Sequence, residues 1–136
     1  MRNYRTWLWA AAVFQLLTAF FHSLSFLRDP VPQNETEKTL IDLMANYQQD
    51  AMGMMVTTHD IMTALSACFT LVCLLGGWIN VYLLRQNAPQ GLVKGLISIQ
   101  LLVFGILFAV MAAFTFPPPI VLTGLIFVCL LPARLV

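Results

Sequence analysis

Four long apolar runs stand apart from one another along the chain, divided by one long polar stretch, one short polar break and one run of three prolines. A helix needs roughly 20 mainly apolar residues to cross about 30 Å of hydrocarbon. The runs at about 7–27 (WLWAAAVFQLLTAFFHSLSFL), 61–84 (IMTALSACFTLVCLLGGWINVYLL), 92–116 and 120–135 qualify. The last is the shortest and carries Pro132 near its end. The pattern predicts an all-α fold, a bundle of four transmembrane helices forming a single integral membrane domain over 1–136.

The long polar stretch, 28–60, has a pattern of its own. Asp29-Pro30-Val31-Pro32 is rigid and extended, because proline disfavours helix in the residue before it. Asn34 or Thr36 can cap a helix beginning near Glu37. There Leu40, Ile41, Leu43, Met44 and Tyr47 make an apolar stripe, and Asp42, Gln48 and Gln49 a polar one. This reads as an extracytoplasmic amphipathic helix lying at the interface between the first and second spans. Gly53 either ends it or lets it run on into the second span.

Composition sharpens the picture. Sixty per cent of the 136 residues are hydrophobic and 10% charged, and the mean hydropathy is +0.82. A soluble domain carries about a quarter charged residues. A disordered chain, a nucleic-acid-binding module and an ordinary cytosolic enzyme are thereby excluded.

Charge then orients the bundle. All six acids (Asp29, Glu35, Glu37, Asp42, Asp50, Asp60) lie between 29 and 60, opposed there only by Arg28 and Lys38. Arg2, Arg5, Arg85, Lys94 and Arg134 flank span ends that share one side if the spans alternate. Cations mark the cytoplasmic side, so both termini are expected inside and the acidic connection outside. Arg2 and Arg5 before an apolar run resemble a signal peptide. That run, however, is long, contains Gln15 and His22, and has no small-x-small cleavage site after it. It is read as a retained span. Asn34-Glu35-Thr36 is a glycosylation sequon that counts only in a glycosylating host.

Polar residues within the spans point to the bundle interior, since unsatisfied polar groups are costly in hydrocarbon. Gln15, Thr18, His22 and Ser25 share one face of the first span, and Thr63, Ser66 and Thr70 one face of the second, with Asn80 close to it. The two stripes are expected to face each other and exchange interhelical hydrogen bonds. They would also line a polar path if the chain moved a small solute. Gly91 and Gly95 form a Gly-x-x-x-Gly pair at a helix end, a weak association signal.

The candidate ligands gather at the other end. His22 and His59 are the only histidines, and two facing histidines could bind haem axially or share a metal. Glu37, Asp50 and Asp60 could converge on His22 as a His-plus-carboxylate site for a divalent metal. Asp60 serves equally well as a first-turn acid with Thr57 or Thr58 as cap. Met44, Met52, Met54, Met55 and Met62 lie around His59 in sequence, a composition compatible with Cu(I) or with ordinary packing. Cys68, Cys73 and Cys129 sit in apolar runs without a Cys-x-x-Cys pair and read as buried hydrophobes. A Gly-rich phosphate loop, a Gly-x-Ser-x-Gly elbow and a His-Glu-x-x-His motif are all missing from the sequence.

The run His22…Arg28-Asp29-Pro30…Glu37…Met44…Asp50-Ala51-Met52-Gly53…Asp60 resembles a group of uncharacterised four-helix bacterial membrane proteins over about the first 80 residues. The resemblance implies the fold and a bacterial cytoplasmic membrane, and no established activity. The chain departs from that group at His59, where an aromatic residue is expected. This leaves His22 with Glu37, Asp50 and Asp60 as the better cluster.

Together these readings predict a non-enzymatic accessory or interaction subunit of a membrane complex, in contact with lipid and with another membrane protein or a second copy. A metal- or haem-binding protein is the alternative, and a small-solute transporter is less favoured.

Overall fold

The computed structural model describes residues 3–27 and 30–136. In chain order the elements are helix α1 (Asn3–Ser23), a 3-10 turn (Leu24–Leu27), helix α2 (Glu35–Asn46) and strands β1 (Gln48–Ala51) and β2 (Met54–Thr57). Three further helices follow: α3 (Thr58–Arg85), α4 (Gln90–Phe114) and α5 (Pro117–Leu135). Among the described residues four segments are long and apolar enough to cross a membrane: Tyr4–Leu27, Thr58–Arg85, Gln90–Phe114 and Pro117–Leu135. The chain is an integral membrane protein.

The fourth span starts earlier than its hydrophobicity suggests. Pro117, Pro118 and Pro119 form the first turn of α5 rather than a turn before it. The first helical amides have no intrahelical acceptor in any case, and the proline φ is already helical. At the other end α5 passes through Pro132 and reaches Leu135.

The chain divides into two compact units, Met1–Ala19 with Val72–Val136, and Phe20–Leu71. In the first, α4 and α5 pack through reciprocal glycine–phenylalanine contacts. A Cβ added at Gly105 would stand 3.2 Å from the Phe127 ring, and one at Gly124 3.1 Å from the Phe108 ring. Each glycine thus makes room for the other helix's ring, and the two rings stack at 6.4 Å and 13°. Leu8, Ile97, Phe104, Ile126 and Leu130 fill the core of this unit. Cys73 and Cys129 are buried, as expected of small hydrophobes, whereas Cys68 is exposed. Gly91 and Gly95 face open space, so their pair mediates no helix contact among the described residues.

The end of α3 is closed by a left-handed residue. Asn87 has φ +49°, and the Ala88 amide donates to the Leu83 carbonyl at 3.1 Å. This is the six-to-one bond of a Schellman ending, with asparagine where glycine is commonest. Arg5 completes the cap. It donates to Asn87 Oδ1 and to the Leu84 carbonyl, both at 2.8 Å. A cation there also complements the helix dipole.

The second unit departs from the all-α expectation. Helix α2 is present, capped by Asn34, whose side chain accepts from the Glu37 amide at 2.8 Å. The helix does not run on into the second span. It ends at Asn46, and residues 48–57 form an antiparallel hairpin with Gln48 opposite Thr57 and Ala51 opposite Met54. The two-residue loop, Met52-Gly53, has φ of +57° and +89°, the signs of a type I′ turn. Asp50 secures it by accepting from the Gly53 amide at 2.7 Å.

Candidate functional site

The most deeply buried polar feature lies in the first unit and draws on three helices. Gln15 of α1 donates to Gln100 of α4 at 2.9 Å, Gln100 donates to Asn80 of α3 at 2.8 Å, and Asn80 donates back to Gln15 at 2.8 Å. A cross bond from Asn80 to Gln100 at 3.0 Å braces this closed ring. Gln15 and Asn80 are fully buried and Gln100 is 8% exposed. Each carboxamide is donor and acceptor at once, so the ring satisfies its members without charge. Gly76 provides the space: a Cβ there would lie 2.6 Å from Gln15 Nε2.

Gln100 is the member that sequence reasoning missed. It is the lone uncharged amide in the middle of a strongly apolar span, and that was the available signal.

The hydroxyls behave differently from the amides. Thr18 is buried but donates to the Phe14 carbonyl of its own helix at 2.7 Å. Thr70 is buried and donates to the Ser66 carbonyl at 3.0 Å. Such back-bonding satisfies a hydroxyl within one helix, which removes its need for an interhelical partner. Ser66 is half-buried, and Thr63 is exposed rather than interior.

His22 meets α3 in the second unit. Its Nδ1 is 3.2 Å from Thr70 Oγ1. Because that hydroxyl already donates to Ser66, it accepts from an Nδ1–H. The ring also packs on Phe69 at 4.8 Å and on Phe26 at 6.2 Å. Ser25 does not extend the polar face; its hydroxyl donates to the His22 carbonyl at 2.6 Å.

This arrangement corrects both ligand expectations. Thr70 lies 11 residues beyond His59 on α3, about 16 Å along the axis at 1.5 Å per residue. His22 therefore does not face His59, which is exposed in the first turn, and the axial haem pair is not formed. Asp60 is similarly remote from the His22 contact. It is held instead in a capping box, accepting from the Thr57 amide at 3.0 Å while the Asp60 amide donates to Thr57 Oγ1 at 3.1 Å. Glu37 accepts from the Gln33 amide at 2.7 Å, and Asp50 belongs to the hairpin turn. Each carboxylate is committed to its own backbone. Among the described residues no group of three or more His, Cys, Asp and Glu side chains could hold a metal ion. Asp29 and Arg28, part of the acidic connection, lie outside the described residues.

The surface between the first and second spans is apolar as well as acidic. Leu40 and Leu43 of α2, Tyr47 just after it, and Met54 and Met55 of β2 are exposed, and Met52 at the hairpin tip is fully so. Leu40, Leu43, Met44, Tyr47 and Thr58 line a shallow open depression. Residues 30–57 carry Glu35, Glu37, Asp42 and Asp50 against Lys38 alone.

Compared with family models, with curated proteins and with solved structures, the chain matches none.

Proposed function

We propose that this chain is a non-enzymatic accessory subunit of a membrane complex, and that the segment between its first two spans is the surface a partner grips. The observation that carries this reading is Met52. A type I′ turn wants asparagine, aspartate or glycine at its first position. Methionine stands there at φ +57° with its side chain fully in the open. A left-handed residue with a side chain costs roughly 1–2 kcal/mol, and strain of this kind concentrates where surfaces work. Met54, Met55, Leu43 and Tyr47 extend the exposed apolar surface of the same unit. Methionine adapts its shape to a partner, and exposed apolar patches mark interaction sites.

Charge selects the kind of partner. With four acids against one lysine over residues 30–57, this surface repels a second copy of itself and suits a protein presenting basic and apolar groups. The cations flanking the opposite span ends favour a reading in which both termini are cytoplasmic and this segment lies outside, in a bacterial cytoplasmic membrane. The resemblance of about the first 80 residues to uncharacterised four-helix bacterial membrane proteins implies the same membrane.

The test is a photo-crosslinking amino acid placed at position 54 in cells, with position 39 on α2 as comparison. A discrete adduct to one membrane protein at position 54, weakened by Met52→Asp, supports the proposal. Crosslinks to lipid only, or equal adducts at both positions, would sink it.

A further inference from the structure

The first unit contains no Asp or Glu at all, because all six acids lie between 29 and 60. Two of its cations, Arg5 and Arg134, are nevertheless held in place. Arg5 joins the start of α1 to the end of α3 through Leu84 and Asn87. The turn after Asn87 leads directly into α4. Near the start of α4, the Ser98 hydroxyl donates to the Lys94 carbonyl at 2.9 Å and accepts from Arg134 Nε at 2.7 Å. Ser98 thus ties the guanidinium at the end of α5 to the turn of α4 that bears Lys94.

This tie has a chemical result. Among the described residues Arg134 spends only its Nε–H. Among the described residues nothing accepts from its two Nη groups or from the Lys94 ammonium. Arg134 is exposed and Lys94 half-buried. A guanidinium anchored through Nε presents two parallel N–H donors in the fork that matches two phosphate oxygens. Lys94, one helical turn before Ser98 on α4, supplies a point charge. Basic sites between the ends of transmembrane helices are suited to anionic lipid headgroups. The geometry points to a site for the phosphate of an anionic phospholipid between α4 and α5, formed by Lys94 and Arg134 and oriented by Ser98.

A phosphodiester headgroup such as that of phosphatidylglycerol fits the site, with its acyl chains continuing along the exposed apolar faces of α4 and α5, where Ile99, Val103, Val128 and Leu131 lie open. Phosphatidylcholine carries the same phosphate with a neutralising ammonium and is held less well.

The site is tested by native mass spectrometry of the full chain released from detergent and titrated separately with phosphatidylglycerol, phosphatidylcholine and inorganic phosphate. The wild type is expected to retain phosphatidylglycerol in preference to phosphatidylcholine. Lys94→Gln, which leaves the Arg134–Ser98 bond intact, and Arg134→Gln should each weaken retention about fivefold. Arg85→Gln removes the same charge from α3, outside the pair tied by Ser98, and should change retention by less than about twofold. Equal retention of the two lipids would overturn the site. So would an Arg85→Gln loss as large as that of Lys94→Gln. Displacement of the lipid by millimolar inorganic phosphate would also overturn it, assigning the pair to free phosphate.

Discussion

Gln15 on α1 donates a hydrogen bond of 2.9 Å to Gln100 on α4 across a distance of 85 residues in sequence. With Asn80 the pair closes a ring that fixes three helices in one register. Interhelical hydrogen bonds in membranes are worth about 1 kcal/mol, less than intuition suggests, because the separated helices also find partners. Gln100→Leu removes two acceptor contacts and one donor contact at once. It should lower stability by about 1–3 kcal/mol by leaving buried amides unpaired, as read from unfolding of detergent-solubilised protein. The double change Gln15→Leu with Gln100→Leu should cost clearly less than the sum of the singles, since the two share partners. Strict additivity would mean that the ring does not act as a unit.

The glycines provide a paired comparison. Gly76→Ala would drive a methyl into Gln15 Nε2, the ring's own atom, and should be destabilising by about 1–3 kcal/mol. Gly95→Ala meets open space in the middle of a helical turn. It should be neutral or stabilising by up to about 1 kcal/mol through helix propensity. Thermal unfolding of the two variants side by side decides the matter. Loss of stability at position 95 would reveal an intermolecular contact there.

His22 acts as a packed, hydrogen-bonded residue. His22→Ala removes the Thr70 bond and the ring contact with Phe69, and should cost about 1–2 kcal/mol. Thr70→Val, which spares the ring packing, should cost less. The corresponding optical spectrum and metal analysis of native-purified wild type should contain neither a Soret band nor stoichiometric metal. A cofactor lost on His22→Ala without a fall in thermal stability would contradict this account.

Met52 separates stability from function. Met52→Asn places a residue at ease with positive φ in the hairpin turn. It should stabilise the protein by roughly 0.5–1 kcal/mol while reducing crosslinking from position 54. An unchanged partner yield would remove Met52 from the interface.

Arg5 caps α3 from a distance of some 80 residues. Arg5→Gln removes the bonds to Asn87 and Leu84 and the charge beside the helix end. A loss of about 1 kcal/mol is expected, larger at low ionic strength than at high. A salt-independent loss would assign the effect to hydrogen bonding alone.

Residue patterning along the chain determined the membrane class, four spans, the polar face bearing Gln15 and the existence of α2. These follow from local quantities: the length of each apolar run, helical periodicity, and an asparagine placed three residues before the amide it caps. The hairpin was not legible, because Met-Gly is a poor advertisement for a type I′ turn and a four-residue strand is too short for alternation to speak. Nor was the proline turn of α5, where hydrophobicity falls away although the backbone is already helical. Tertiary structure alone decided which polar groups meet. A threonine can satisfy itself on its own helix, whereas a carboxamide with donors and an acceptor must look outward. The amide ring therefore formed among Gln15, Asn80 and Gln100, and of the hydroxyls on their faces only Thr70 met a second helix, through His22. The same reason dispersed the supposed ligand cluster: Glu37, Asp50 and Asp60 each found backbone amides close by in sequence, and His22 found Thr70 three turns away from His59.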